Sequence, residues 1–207
     1  MLKRLYRPLY LIETPIVATS IETAELIKYA ANAFLAMKVT FINEMADLCE
    51  RVGADVHDVA RGMGLDGRIG RKFLRAGPGY GGSCFPKDTL ALARTAGEAG
   101  SPVRLVETTI AVNERRKAAM AERVVSAMGG DVSGKTVAVL GLTFKPETDD
   151  MRDAPSLPIV SRLVEQGAQL GQREGRRLLP RLAHQVVPGG SGGGGDLDAA
   201  AHRVRDE

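Results

Sequence analysis

Tryptophan is absent, histidine occurs three times, cysteine twice, and the other aromatics are four tyrosines and five phenylalanines in 207 residues. Two cysteines, Cys49 and Cys84, cannot frame a disulfide-stapled domain. Cys49 moreover lies inside an apolar helical pattern, so the chain reads as cytoplasmic. No histidine is placed to serve a thiol: His57 falls on a different helix, and His184 and His202 lie near the C-terminus. That speaks against a self-contained cysteine hydrolase. Ligand-type residues do not cluster at metal spacing, so no metal is expected. No apolar run reaches the roughly 18 residues of a membrane span, and Met1-Leu2-Lys3-Arg4 precedes no signal-peptide core. The expectation is a soluble chain with no membrane partner. With a net charge of +3 and no basic stripe interleaved with aromatics, a nucleic-acid partner is not expected either. Arg71-Lys72 and Arg115-Arg116-Lys117 read as solvated faces.

What is present is helical punctuation. Thr19-Ser20 or Thr23 offers an N-cap for a helix running to about Val52, closed by Gly53. Its apolar positions recur at helical spacing through Leu26, Ile27, Ala30, Phe34, Met37, Phe41, Met45 and Leu48. At ~1.5 Å per residue this helix is ~45 Å long. Such a length points to a homodimer packed through the helix, with burial inside a monomer as the alternative. Asp55 starts a shorter helix ending near Gly62 or Gly64. Pro86 opens another that runs to about Ala99 and is closed by Gly100, and a second long helix covers about Val103 to Met128. The pattern then changes. Lys135 to Gly141 reads as a buried parallel-type strand, Ser156 to Gln166 as a helix closed by Gly167, and Ala168-Gln169-Leu170 as the start of a second strand. From Gly171 onward eight glycines, several arginines and no sustained period follow, a composition that predicts disorder.

The chemistry concentrates in Gly77-Pro78-Gly79-Tyr80-Gly81-Gly82-Ser83-Cys84-Phe85-Pro86-Lys87-Asp88. A glycine-rich loop turns into a helix at a lone thiol, Pro86 suits the first helical turn, and unpaired helix N–H groups favour negative charge there. Lys87 adds positive charge and Asp88 stands one turn on. On these residues alone, a nucleophilic thiol and a buried inert one both remain open. Lys28 and Asn32, four apart, project from one face of the first helix, where ordinary surface polarity is the competing reading.

Four motifs in order resolve these alternatives. They are Ala24-Glu25-Leu26-Ile27-Lys28-Tyr29-Ala30-Ala31-Asn32-Ala33-Phe34-Leu35-Ala36, Phe41-Ile42-Asn43-Glu44, the cysteine loop, and Gly141-Leu142-Thr143-Phe144-Lys145-Pro146 continuing through Asp149-Asp150-Met151-Arg152. From about Tyr6 to about Ala168 the chain resembles the UDP-glucose and GDP-mannose dehydrogenase family. The resemblance implies a mainly α central dimerisation domain followed by the start of an α/β Rossmann-like UDP-binding domain. The boundaries are a lead segment at 1–20, the helical domain at 21–130, a partial UDP-binding domain at 131–170 and an aberrant tail at 171–207.

The resemblance also implies a reaction, the NAD-dependent oxidation of a nucleotide sugar's primary alcohol to a carboxylate, UDP-glucose to UDP-glucuronate, for polysaccharide assembly. Cys84 would be the nucleophile, Lys28 and Asn32 the stabilisers of the oxyanion, and Asp88 the group that orients or activates water or manages protons for the thiol. Lys28, Phe73, Leu74, Arg75, Ala76, Gly77, Gly81 and Lys145 would hold the UDP-sugar, with Arg68 reaching into a neighbouring subunit. Ala76 stands where the family often has proline. Lys87 and Arg152 would contact NAD. The family's strand–Gly-x-Gly-x-x-Gly–helix unit has no counterpart here, because Gly77 to Gly82 fits the spacing without a preceding strand. The expected protein is therefore a fragment that oxidises nothing alone, either the remnant of a truncated or frame-shifted gene or a partner for an NAD domain on another chain. A non-catalytic dimerisation module or inactive gene remnant is the alternative.

Overall fold

The computed structural model describes residues 16–171. The expectations for the lead segment before residue 16 and for the tail after Gly171 fall outside the described residues. The long helix α1 spans Ile21–Val52, with the Ser20 hydroxyl accepting the Thr23 N–H and Gly53, at φ 73°, ending it in the left-handed region. Helix α2, Val56–Gly64, starts at Asp55, whose carboxylate accepts the His57 N–H at 2.7 Å. Helix α3 is Phe85–Glu98 and α4 is Arg104–Ala127. Strand β1, Thr136–Ala138, helix α5, Ser156–Glu165, and strand β2, Gln169–Gly171, then form a βαβ unit. Its strands pair in parallel, Thr136 opposite Gln169 and Ala138 opposite Gly171.

The fold is thus mainly helical, closed by a small parallel sheet, as the sequence predicts. One local expectation fails. The strand foreseen over Lys135 to Gly141 is three residues long, and its flanking Thr136 and Ala138 are exposed rather than buried. The cause is that the sheet has two strands among the described residues, so little covers its faces. The large apolar residues of α1 that recur at helical spacing lie outside the core. Ile27, Phe34, Phe41 and Leu48 stand seven residues apart and are 42–58% exposed. Burial falls instead on Ala33, Ala36, Thr40, Ile42, Asn43, Ala46 and Cys49. The inward face of α1 is therefore small and partly polar, and its largest apolar groups face away from the chain.

The helical body and the βαβ unit share a core. Ala121 on α4 packs with Val132, Leu163 and Ala168, joined by Val124, Val125, Met128, Val137 and Ile159. A second cluster, Leu142 and Val160 with Met151 and Leu170, holds the loop after β1 against α5. These contacts bring that loop back over the glycine-rich segment, which places the site.

Candidate active site

Asp88, in the first turn of α3, is completely buried. Its Oδ2 accepts hydrogen bonds from Lys28 Nζ and, at 2.5 Å, from Asn32 Nδ2, and its Oδ1 accepts from Lys87 Nζ at 2.5 Å. Burial alone would raise the pKa of this carboxyl. The hydrogen bonds from Lys28, Lys87 and Asn32 outweigh it and hold the value at about 2. A carboxylate so saturated is poorly disposed to accept a proton. What its geometry does is tie α3 to α1 and hold Lys28 and Asn32 side by side. The Lys28 and Lys87 side chains remain 58% and 67% exposed, free to offer their remaining N–H bonds to a ligand. Lys87 is held protonated above its ordinary range by the Asp88 hydrogen bond first, with smaller help from Tyr29 and Cys84.

Cys84 is the N-cap residue of α3 and is exposed. Its carbonyl accepts the Asp88 N–H at 2.9 Å, one helical turn on. The sulfur lies 3.8 Å from Ser83 Oγ and makes no hydrogen bond to Lys28, Asn32 or Asp88. Cys84 thus joins the cluster through the backbone of α3, with its thiol open to solvent. Phe85, the next residue, is flanked by Tyr80 and Phe73, each ring centroid 5.9 Å away.

The glycines before Cys84 serve the chain's own packing. Gly81 lies against the Asp153 carbonyl, where an added methyl would come within 2.2 Å of the oxygen, and Gly82, at φ 84°, lies on the Phe144 ring. The Gly82 N–H also donates to the Arg152 carbonyl at 2.8 Å. The side of Gly81 where a Cβ would stand is filled by the segment after β1. Gly77 has open space beside it.

The other expected contacts divide between two concavities. One, of about 390 Å³, is lined by Phe73, Leu74 and Arg75 together with His57, Ala60, Arg71 and Lys72. Phe73 sits at φ 66°, an uncommon conformation for a bulky residue that often marks functional loops. Half-buried Ala76 continues this loop. The other concavity, about 520 Å³, is lined by Asp149, Asp150, Met151, Arg152 and Leu157. There Arg152 binds Asp150 through Nε at 2.9 Å and Nη2 at 2.7 Å, which lowers the Asp150 carboxyl to about 2. Lys145 stands 5.2 Å over the Phe144 ring. Arg68 is exposed and grips Asp66 of its own chain.

Several buried groups went unforeseen. Arg116 and Lys117, expected on a solvated face, have side chains only 10% and 6% exposed. Arg116 donates to the Gly77 carbonyl at 2.5 Å, to the Asn43 carbonyl at 3.0 Å and to Asp47 at 2.9 Å. Lys117 pairs with Glu114 at 2.8 Å, while its stem lines the seat of Gly79. The signal missed is that a loop this rich in glycine leaves peptide groups that some side chain must satisfy.

Comparison with known proteins agrees with the motif order. Residues 22–115 match the central domain of the UDP-glucose/GDP-mannose dehydrogenase family, and residues 138–172 match its UDP binding domain. UDP-glucose 6-dehydrogenase of Rhizobium meliloti is 62% identical over 88% of this chain and 43% of its own length. TuaD of Bacillus subtilis, a UDP-glucose 6-dehydrogenase, is 52% identical over 82% of this chain and 36% of its own. Among solved structures, a UDP-glucose dehydrogenase from Pyrobaculum islandicum superposes with a TM-score of 0.76 at 39% identity, over 83% of this chain and 39% of that one. The chain therefore spans less than half the length of these relatives. Two matched domains in the family's order, identity above one half across most of the chain and a shared fold have one reading: the chain belongs to the UDP-glucose/GDP-mannose dehydrogenase family.

Proposed function

We propose that this chain carries the cysteine-bearing part of an NAD-dependent nucleotide-sugar dehydrogenase that converts UDP-glucose to UDP-glucuronate in two oxidations. The single observation that carries the reading is the convergence of Lys28, Asn32 and Lys87 on buried Asp88, one helical turn from exposed Cys84. On this reading the alcohol at C6 is first oxidised to an aldehyde. The Cys84 thiolate adds to the aldehyde carbon, and the oxygen that gains charge accepts hydrogen bonds from Lys28 and Asn32. Loss of hydride from this thiohemiacetal leaves a thioester. Water attacks it, releasing the carboxylate and returning the thiol. Asp88 acts by fixing Lys28 and Asn32 rather than by taking a proton.

Lys87 and Arg152 fit a dinucleotide's phosphates, because each is largely exposed and retains unused N–H donors. A bound nicotinamide dinucleotide supplies the hydride acceptor. Among the described residues no strand precedes a Gly-x-Gly-x-x-Gly turn, so that site belongs to another domain or chain. The loop Phe73 to Gly77 and Lys145 are assigned to the UDP-sugar, and Arg68 to a neighbouring subunit's site. Residues 21–130 form the catalytic and dimerisation domain, and 131–170 belong to the UDP-binding domain.

The outward seam of α1 supports a homodimer. Ile27, Phe34, Phe41 and Leu48 repeat every seven residues, the period at which two helices keep one stripe in mutual contact. The same seam suits the alternative, a dimerisation module without catalysis. An assay separates the two: NADH formation from UDP-glucose by this chain mixed with an NAD-binding partner chain. Formation that disappears in Cys84→Ala supports the dehydrogenase, and a partnered dimer that binds UDP-glucose without turnover supports the module.

A further inference from the structure

The loop from Gly77 to Ser83 is held by side chains from two helices. The Gly77 N–H donates to Asn43 Oδ1 at 2.8 Å, and the Gly77 carbonyl accepts from Arg116 Nε at 2.5 Å. Three residues on, the Tyr80 N–H donates to Asn113 Oδ1 at 2.8 Å, and the Tyr80 carbonyl accepts from Asn113 Nδ2 at 3.2 Å. The Asn113 amide thus pairs with both polar groups of one residue, as a neighbouring strand would. Asn43 and Asn113 are each 1% exposed. Gly79, at φ 125° between them, would place a methyl 3.0 Å from Asn113 Oδ1 and 3.1 Å from Lys117 Cγ, so the loop lies flat on α4 only because that residue is glycine. From Tyr80 a short path leads to the sulfur. The Tyr80 ring meets Phe85 edge-on, and Phe85 adjoins Cys84.

We propose that Asn113, assisted by Asn43, is a positioning residue for Cys84, a clamp that fixes the loop and, through Tyr80 and Phe85, the place of the thiol at the start of α3. Neither asparagine hydrogen-bonds to the cluster around Asp88. The role of Cys84 as nucleophile belongs to the preceding proposal. The clamp is tested on the environment of the sulfur rather than on turnover, so either can fail without the other.

The chain supplies an internal control, since Cys84 is exposed and Cys49 is buried on α1. Asn113→Leu keeps the size of the side chain and removes both hydrogen bonds. In the full chain, amide exchange followed by NMR is expected to show Tyr80 and Gly82 losing protection on the order of tenfold or more, with the amides of α1 and α4 unchanged. The rate of Cys84 alkylation at fixed pH, read by peptide mass spectrometry, is expected to converge on that of an unfolded peptide of the same local sequence, while Cys49 stays unreacted. Asn113→Asp keeps the acceptor for the Tyr80 N–H but loses the donor, and should fall between the two; it also serves if Asn113→Leu does not fold. An alkylation rate unchanged in both variants overturns the proposal. So does reactivity of Cys49 and Cys84 appearing together, or an unmutated chain whose Cys84 already matches the unfolded peptide.

Discussion

Replacing Asp88 by asparagine tests whether the buried carboxylate is the structural centre of the site. In the folded chain this carboxyl is held at about 2, against an ordinary value near 4, and at ~1.4 kcal/mol per pH unit the gap corresponds to ~2.5 kcal/mol. Because the Lys28 and Lys87 side chains are 58% and 67% exposed, solvent screens part of this, leaving about 1 to 2 kcal/mol. The sign follows from the folded value lying below the unfolded one. The contribution is complete above about pH 4 and is lost as the pH falls through about 2. Asp88→Asn never has it, and its amide N–H₂ must also face ammonium or amide donors. At neutral pH the variant should therefore be less stable by about 2 kcal/mol or somewhat more. Urea unfolding followed by the helical circular dichroism signal, for both proteins from neutral pH down to about pH 2, measures the difference. Asp150, the other carboxyl lowered to about 2, is common to both proteins and cancels. The stability gap between them must narrow below about pH 4. If it is absent at neutral pH, or stays constant down to about pH 2, then Asp88 is not charged and paired as the geometry has it.

Gly81→Ala forces a methyl against the Asp153 carbonyl at 2.2 Å, whereas Gly77→Ala meets nothing within 4 Å. The first should lower the unfolding midpoint by an amount equivalent to about 2 kcal/mol or more and the second by less than about 1 kcal/mol, and equal effects in thermal melts would refute the packing. Phe34→Glu or Phe41→Glu places charge on the exposed α1 seam. Sedimentation should show the dimer replaced by monomer with helix content unchanged, and a dimer insensitive to both would remove the seam from the interface. Cys84→Ser, in a mixture competent for oxidation, should abolish formation of the acid because an ester to serine is a poorer acyl donor than a thioester. Calorimetric affinity for UDP-glucose should stay within about twofold, and full-rate acid formation would contradict the thioester.

Helix boundaries were legible because their signals are local. Ser20, Gly53, Asp55 and Gly100 each act within one turn of their own position, and the observed ends fall within about two residues of those expected. The cluster of Lys28 and Asn32 was legible only through motif resemblance, since an i, i+4 polar pair looks the same whether it meets a buried carboxylate or water. What the sequence concealed was direction. Periodicity in α1 marks an apolar stripe without saying whether it faces the same chain, and Phe34 and Phe41 turn outward while Thr40 and Asn43 turn in. Arg116 and Lys117 were misread for the same reason. A run of three cations suggests solvent, yet two of them lie on the face of α4 that supports the glycine loop. The strand after Lys135 was overextended because a strand's length depends on its neighbours.

The inward polar face of α1 explains how a solvent-open thiol can still be accurately placed. Lys28 and Asn32 meet Asp88 near one end of the helix, and Asn43 with Asp47 meets Gly77 and Arg116 about three turns later. One rigid helix thus carries both the proposed oxyanion donors and part of the loop clamp. Their separation is set by helical rise, ~1.5 Å per residue, and not by loop conformation. Helix α3 closes the figure, since Asp88 ties its first turn to α1 while its N-cap is Cys84. With the proposed clamp, the backbone carrying the sulfur is held from two sides, by the helix that follows it and by the loop that precedes it. This is why loosening Asn113 and removing the Asp88 charge should act on the thiol independently: each severs one side and leaves the other intact.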